Sequence, residues 1–227
     1  VVAGPPSNFE NTIRIDKGDA ALVPEQDRAA IRGMAVQTGV NAGFIDAFPN
    51  LKVISSFGVG YDHVDANHAA SKGIVVTNTP DVLTEEVADT AVGLLLNTVR
   101  ELSKAEAWLR EGNWLNGNYP LTRGTLRERK VGIFGMGRIG QAIATRLEAF
   151  GMPISYHNRR KVDGVPYAYH ASLVELAQNV DTLVSVAPGG ASTERAVNRE
   201  VLKALGPDGV FVNIGRGSTV DEDALAA

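Results

Sequence analysis

The sequence predicts an α/β protein with two Rossmann-like parallel-sheet domains that are joined by helices. Short apolar segments alternate with segments whose apolar residues recur about every three or four positions, which is typical of strands alternating with amphipathic helices. A long helical pattern separates two such alternating arrays. In the second array a glycine-rich turn lies between a strand and a helix, where a dinucleotide-binding fold has one.

The first array occupies residues 1–83. Residues 1–6 have the pattern of a strand end that enters a turn, and Gly73 and Pro80 mark the ends of later elements. Strands are predicted at 34–38, 51–56 and 74–78, and helices at 25–32, 41–48 and 64–72.

Helical segments follow over residues 84–112. The first begins at Thr84 with acidic residues in its first turn, and the second ends at Gly112. Such helices join domains or dock a partner subunit, so we expect a symmetric homodimer. Trp108 and Trp114 fit core packing, which we favour, or a subunit interface.

The second array occupies residues 113–227. Its apolar segments are bounded by glycine, proline and short polar loops. Strands are predicted at 131–134, 152–157, 166–169, 181–188 and 209–214, and helices at 139–150, 172–177 and 193–205.

Gly135, Gly137 and Gly140 have the spacing G-x-G-x-x-G at the turn between strand 131–134 and the following helix. Glycine permits the tight turn, lets backbone N–H groups approach a pyrophosphate and allows close helix packing. The helix N-terminus adds partial positive charge. We therefore predict a dinucleotide site here; the alternative is a glycine turn in an unrelated α/β unit.

The tip of the next strand predicts which dinucleotide binds. A carboxylate that meets the adenine ribose is expected about 20 residues past the glycines. Here the tip reads Asn158, Arg159, Arg160 and Lys161, with no carboxylate before Asp163. Guanidinium groups suit a 2′-phosphate, so the sequence predicts NADP(H) rather than NAD(H). The alternative is a solvated basic loop.

Three further strand ends carry polar or glycine-rich loops, at 57–60, 187–190 and 214–218. Ligands of open α/β sheets bind at this edge. Arg216, between two glycines, could grip a substrate carboxylate and polarise an adjacent carbonyl. It could equally cap a helix or pair with Asp221 or Glu222.

Composition excludes several function classes. The net charge of −4 argues against nonspecific nucleic-acid binding. Without cysteine there is no disulfide and no thiolate nucleophile, and we predict no metal site. No apolar run is long enough to span a bilayer and no signal peptide is recognisable, so we expect a cytoplasmic protein without membrane contact.

From Met34 onward the chain resembles the D-isomer-specific 2-hydroxyacid dehydrogenases, in particular the NADPH-dependent glyoxylate and hydroxypyruvate reductase branch. The resemblance rests on four motifs, which span residues 56–62, 79–89, 135–140 and 213–222. It implies an incomplete substrate-binding, flavodoxin-like domain at 1–83, linking and dimerisation helices at 84–112, and a C-terminally incomplete Rossmann domain at 113–227.

The resemblance also implies residue roles. Arg216 would be the catalytic residue that holds the substrate carboxylate and carbonyl, and the N–H groups of Val59 and Gly60 would bind the carboxylate. Cofactor-binding residues would be Gly135, Gly137, Arg138, Ile139, Gly140, Asn158, Arg159, Arg160, Pro188, Ile214 and Gly215.

One departure concerns the proton donor. In the family a histidine and its orienting glutamate follow the arginine motif, whereas this chain ends at Ala227. Reduction of a 2-oxo acid needs such a donor, so we expect the chain to be part of a longer protein that performs the complete reaction. Of the four histidines, His63 is the one close to the 57–60 loop and thus the one to test as a substitute.

These observations favour NADPH-dependent reduction of glyoxylate or hydroxypyruvate to the D-2-hydroxy acid. A non-catalytic dinucleotide-binding or corepressor-like relative is the alternative. An NAD-dependent formate or phosphoglycerate dehydrogenase relative is disfavoured by the cations at 159 and 160.

Overall fold

The computed structural model describes residues 12–122 and 124–227. The chain divides into two compact units, Val1–Leu83 and Thr84–Ala227. The predicted strand end at residues 1–6 lies outside the described residues.

The first unit contains a three-stranded parallel sheet of order β1-β2-β3. Asn41 and Asp65 begin two of its helices, because each side chain accepts a hydrogen bond from an N–H in the first turn. The strands are β1 (Gly33–Val36), β2 (Val53–Ser56) and β3 (Val75–Thr77), and the helices are α1 (Glu25–Arg28), α2 (Ala42–Asp46) and α3 (Ala66–Ser71).

Helices α4 (Thr84–Arg100) and α5 (Leu102–Arg110) begin the second unit. Glu101 separates them, with a left-handed φ of 51°. The apolar face of α4 is buried in the same core as the strands of the second sheet; its buried members are Ala88, Ala91, Leu95 and Val99. The structure therefore groups α4 with the second unit, whereas the sequence suggested a separate linking segment.

The second sheet is parallel and has the order β6-β5-β4-β7-β8. Helices α4 and α6 share a core with one face, and α7 and α8 share a core with the other. This is the three-layer arrangement of half a Rossmann fold. The strands are β4 (Val131–Phe134), β5 (Ile154–His157), β6 (Ala168–His170), β7 (Thr182–Ser185) and β8 (Val210–Asn213), and the helices are α6 (Arg138–Glu148), α7 (Leu173–Asn179), α8 (Arg199–Leu205) and α9 (Glu222–Ala226).

The C-terminal ends of four strands lie in register. Phe134 pairs with His157 on one side and with Ser185 on the other, and Ser185 pairs with Asn213. The loops that follow these strands therefore emerge at one edge of the sheet, the edge at which open α/β sheets bind ligands.

Three sequence predictions differ from the structure. The helix predicted from residue 193 begins at Arg199, because Arg195 has a left-handed φ of 48° and Asn198 accepts hydrogen bonds from the N–H groups of Glu200 and Val201. Helix α1 ends at Arg28, short of the predicted 25–32. Trp114 is 57% exposed, so core packing is wrong for this side chain.

No helix in the described part of the chain is long and apolar enough to cross a lipid bilayer.

Candidate cofactor and substrate sites

The glycine turn after β4 has a geometry that requires glycine at its first position. Gly135 has φ of 108°, which L side chains rarely adopt. Its N–H donates to the carbonyl oxygen of His157 at 3.1 Å. A Cβ at Gly135 would lie 2.9 Å from the backbone nitrogen of Ala187, so the turn is held against the loops of both neighbouring strands.

The other two glycines have different surroundings. A Cβ at Gly140 would overlap the carbonyl oxygen of Gly135, so this glycine permits helix α6 to approach the turn. A Cβ at Gly137 would meet nothing within 4 Å. Gly137 is exposed and directly precedes the 11-residue helix α6. The space beside its backbone and the helix N-terminus together fit a bound phosphate group.

Arg138 and Ile139 are the first two residues of helix α6. The side chain of Arg138 is exposed and that of Ile139 is half-buried. Both residues therefore lie at the positively polarised end of the helix, beside the open space at Gly137.

Asn158 contacts the glycine turn itself. Its Oδ1 accepts a hydrogen bond of 2.7 Å from the N–H of Met136, and its carbonyl oxygen accepts one of 3.2 Å from the hydroxyl of Tyr169. Met136 is buried, so this N–H has no access to water. The sequence predicted a ribose-phosphate contact for Asn158; the structure adds a bond that ties the tip of β5 to the turn after β4.

Arg159 and Arg160 follow Asn158 with exposed side chains, and so does Lys161. Exposed guanidinium groups at the tip of β5 can reorient toward an anion without the cost of leaving a buried partner unpaired. The structure thus places the predicted cation cluster at the ligand-binding edge of the second sheet.

Pro188, Ile214 and Gly215 lie on the loops after β7 and β8. Pro188 is exposed, and its carbonyl oxygen accepts a hydrogen bond of 2.6 Å from the Thr193 hydroxyl. A Cβ at Gly215 would lie 2.7 Å from the carbonyl oxygen of Ala187. The two loops therefore meet at the edge of the sheet, and glycine permits their close approach.

The backbone of Arg216 is held by its own loop. Its carbonyl oxygen accepts hydrogen bonds from Asn213 Nδ2 at 3.0 Å and from Thr219 Oγ1 at 2.7 Å. Asn213 Oδ1 accepts from the Gly215 N–H at 3.0 Å, so one side chain binds two backbone groups of the loop, at Gly215 and at Arg216. The guanidinium is half-buried, and its Nη1 lies 3.3 Å from the Gly215 carbonyl oxygen.

Asp221, a candidate partner of Arg216, binds a different arginine. Its Oδ1 lies 2.7 Å from Arg195 Nη2 and also accepts from the Ala224 N–H. The hydrogen bond from Arg195 holds the pKa of the Asp221 carboxyl below its ordinary value.

In the first unit, the loop after β2 is held by neighbouring side chains. The N–H of Gly58 donates to Thr79 Oγ1 and the N–H of Thr79 donates to the Gly58 carbonyl oxygen, each at 2.9 Å. Asn78 Nδ2 donates to the Val59 carbonyl oxygen at 2.7 Å. Gly58 has φ of 113°, so the loop turns at a position that favours glycine.

His63 lies against the same loop. Its Nε2 is 3.3 Å from Ser56 Oγ, and that hydroxyl donates to the Gly60 carbonyl oxygen at 3.2 Å. Ser56 is fully buried. His63 therefore supports the loop from the interior of the first unit.

Sequence reasoning missed three residues that hold these loops, namely Asn78, Tyr169 and Thr219. Thr219 lies within a recognised motif and Asn78 directly precedes another, but a motif does not say which backbone group a side chain contacts. The frequent bonding of asparagine and threonine side chains to nearby backbone groups is the signal that could have indicated them.

This chain is similar to known proteins in sequence and in fold. Residues 92–227 match the family model described as D-isomer specific 2-hydroxyacid dehydrogenase, NAD binding domain. The chain is 47% identical over 207 residues to a hydroxyphenylpyruvate reductase of Plectranthus scutellarioides, covering 91% of this chain and 65% of that protein. It is 45% identical over 209 residues to a glyoxylate/hydroxypyruvate reductase of Arabidopsis thaliana, covering 91% and 66%. The chain thus spans about two thirds of the length of these relatives.

A solved structure is also similar. It is an NADPH-dependent glyoxylate/hydroxypyruvate reductase from Sinorhizobium meliloti in complex with NADP and malonate, with 58% identity and a TM-score of 0.91. The match covers 94% of this chain and 67% of that one.

Proposed function

Because the chain belongs to the D-isomer specific 2-hydroxyacid dehydrogenase family, we propose that the full-length protein uses NADPH to reduce a small 2-oxo acid to the D-2-hydroxy acid. Glyoxylate and hydroxypyruvate are the proposed substrates, since reductases of these acids are among the relatives in both sequence and structure.

The observation that carries the proposal is the open approach to the backbone at Gly137, between β4 and the N-terminus of α6. A pyrophosphate needs close contact with backbone N–H groups, and any side chain at this position would occupy that space. We propose that the turn from Gly135 to Gly140, with Arg138 and Ile139, binds the pyrophosphate. The loops at Pro188, Ile214 and Gly215 are proposed to line the rest of the nucleotide site.

The preference for NADPH rests on the tip of β5. Arg159 and Arg160 are exposed there, and the chain has no carboxylate between them and the end of the strand. A guanidinium can grip a phosphate with two parallel hydrogen bonds. The S. meliloti relative is described as NADPH-dependent and holds NADP, which supports the same choice for this chain.

When bound, the nicotinamide supplies the hydride. The chain's own residues bind and orient the other reactant: the N–H groups of Val59 and Gly60 are proposed for the substrate carboxylate, and Arg216 for the carboxylate and carbonyl. A cation beside the carbonyl oxygen stabilises the negative charge that develops there during reduction. The S. meliloti structure contains malonate, so a related protein binds a small carboxylate.

We also propose a homodimer. Helices α4 and α5 and the turn after them expose several large apolar side chains, which a second copy of the chain would cover. These side chains are Leu94, Leu102, Leu109, Trp114 and Leu115.

A steady-state assay tests the function. The full-length protein is assayed with glyoxylate, hydroxypyruvate and pyruvate, each with NADPH and with NADH. We expect turnover with at least one of the first two acids and a higher kcat/KM with NADPH. Tight NADPH binding without turnover of any 2-oxo acid would instead favour a non-catalytic dinucleotide-binding protein.

A further inference from the structure

The loop after β2 has three successive carbonyl groups bound within the first unit, those of Gly58, Val59 and Gly60. Thr79 N–H binds the Gly58 oxygen, Asn78 Nδ2 binds the Val59 oxygen and Ser56 Oγ binds the Gly60 oxygen. Three successive carbonyls are thus directed toward donors from β2 and from the segment after β3.

The direction of these carbonyls sets the direction of two N–H groups. In a trans peptide the C=O and the N–H of the next residue point in opposite directions, and the described residues contain no cis peptide bond. The Thr79 contact therefore turns the Val59 N–H away from Thr79, and the Asn78 contact turns the Gly60 N–H away from Asn78. Val59 and Gly60 are both half-buried.

These two N–H groups are adjacent donors on one loop. Neither donates to another group in the described part of the chain, whereas the Gly58 N–H donates to Thr79 Oγ1. Successive N–H groups in a turn form a concave site that attracts an anion. Because the Gly60 N–H and the Val59 C=O share one peptide plane, the side chain that holds this plane is that of Asn78.

We propose that Asn78 is a positioning residue for the substrate: its amide holds the Val59 carbonyl so that the Gly60 N–H donates to the substrate carboxylate. This inference rests on the proposed function, in which Val59 and Gly60 bind that carboxylate. Ser56, backed by His63 Nε2 at 3.3 Å, holds the next carbonyl and limits rotation of the neighbouring peptide.

The position of Asn78 makes the proposal specific. Asn78 is half-buried at the end of β3 and reaches the Val59 carbonyl across 19 positions of the chain. A second asparagine of the same unit, the exposed Asn50 before β2, makes a side-chain bond of the same kind to a different segment. Asn50 Nδ2 donates to the Ala29 carbonyl oxygen, also at 2.7 Å. Asn50 is thus a matched control that loses the same kind of hydrogen bond.

The test compares Asn78→Leu, which keeps the branched shape of the side chain without a donor, with Asn78→Ala and Asn50→Ala in the full-length protein. KM and kcat are measured for glyoxylate, hydroxypyruvate and pyruvate, and the NADPH Kd is measured by titration. Loss of one well-oriented donor to a charged group weakens binding by about tenfold or more. We expect both Asn78 variants to raise KM by such a factor for all three acids alike, because the carboxylate is their common group.

The NADPH Kd of the Asn78 variants should stay within about twofold of wild type, because the hydrogen bond that is lost joins two residues of the first unit and none of the glycine turn. Asn50→Ala should change neither the KM for the 2-oxo acids nor the NADPH Kd. Equal KM values for the Asn78 variants and Asn50→Ala would overturn the inference, and so would a change limited to one acid.

Malonate binding separates this inference from the proposed function. Calorimetric titration of the NADPH-bound protein with malonate needs no turnover. If wild type binds malonate about tenfold more tightly than Asn78→Leu but reduces no 2-oxo acid, the positioning role stands and the proposed reaction fails. If wild type reduces these acids and the Asn78 variants bind malonate as wild type does, the positioning role fails alone. Absence of malonate binding to wild type would also count against the carboxylate site.

Discussion

The three glycines of the turn after β4 have different structural roles although they belong to one motif. Gly135 provides a left-handed φ, Gly140 permits the helix to approach the turn, and Gly137 leaves space at the helix N-terminus. Substitution should therefore separate stability from cofactor binding, which a motif by itself does not indicate.

Alanine at position 137 is expected to leave the fold intact and to weaken cofactor binding. The new Cβ meets no atom within 4 Å and φ at Gly137 is −80°, so Gly137→Ala should change the free energy of unfolding by less than about 1 kcal/mol. The methyl group would occupy the approach to the pyrophosphate and raise the NADPH Kd roughly tenfold or more.

Gly140→Ala is the matched comparison, because its Cβ would overlap the Gly135 carbonyl oxygen. We expect it to lower the free energy of unfolding by about 1–3 kcal/mol or more. Chemical denaturation and NADPH titration check both variants. Normal NADPH binding by Gly137→Ala would contradict this assignment of the site.

Asn158 is predicted to have two separable effects. Asn158→Ala removes the acceptor of the buried Met136 N–H, which should lower the free energy of unfolding by about 1–3 kcal/mol. Because the glycine turn loses this support, the variant should bind both NADPH and NADH more weakly. Asn158→Asp keeps an acceptor but adds a negative charge beside the proposed 2′-phosphate, so it should weaken NADPH while NADH binding is kept.

Titration of both variants with both cofactors checks the prediction for Asn158. If Asn158→Ala lowers the affinity for NADPH alone, the side chain contacts the 2′-phosphate and does not support the turn.

At this scale the sequence could indicate which residues matter but not how they act. Asn158 was chosen because it lies where the ribose is expected, yet its bond to Met136 depends on β4 and β5 lying side by side. Arg216 was chosen from the glycines that flank it, and its support by Asn213 and Thr219 depends on how the loop closes. Such contacts follow from tertiary geometry, which a motif does not contain.

Helix α4 has one face in the core of the second unit and another face that is exposed. Leu95 is 1% exposed in the core of the second unit, and its neighbour Leu94 is 41% exposed. A helix that only joined two domains would not contribute so much buried surface to one of them.

Leu95→Ala should therefore lower the free energy of unfolding by about 2–5 kcal/mol. Leu94→Ala should change it by less than about 1 kcal/mol for the monomer, because a half-exposed side chain leaves no enclosed cavity. If α4 lies in the proposed dimer interface, Leu94→Ala should also raise the dimer dissociation constant, measured by analytical ultracentrifugation. Equal destabilisation by the two variants would contradict the placement of α4 in the core.

Element type was predictable from periodicity, whereas element ends were not. Both sheets and the long helix from Thr84 were expected where they occur. The predicted start of α8 was wrong. Val197 precedes Val201 and Leu205 at helical spacing, but the left-handed Arg195 and the Asn198 cap place the first residue of the helix at Arg199. Local chemistry at one or two residues determines such boundaries.

At the scale of the whole molecule, alternating strands and helices were sufficient to predict two parallel sheets and the nucleotide-binding edge of the second. The order β6-β5-β4-β7-β8 places β4 at the centre of the sheet, as in a Rossmann half, where parallel strands are joined by crossovers that are generally right-handed. The grouping of α4 with the second unit was not predictable, because it depends on contacts with strands that begin about thirty residues later in the chain.

In the proposed function, the second unit selects NADPH through the cations at the tip of β5. The most direct test measures the Kd of NADPH and of NADH for wild type and for the double variant Arg159→Ala with Arg160→Ala. Both side chains are exposed, so the fold should be unaffected. We expect wild type to prefer NADPH, and the double variant to lose about tenfold or more of its NADPH affinity with little change for NADH. If the double variant still prefers NADPH, Arg159 and Arg160 do not select the cofactor.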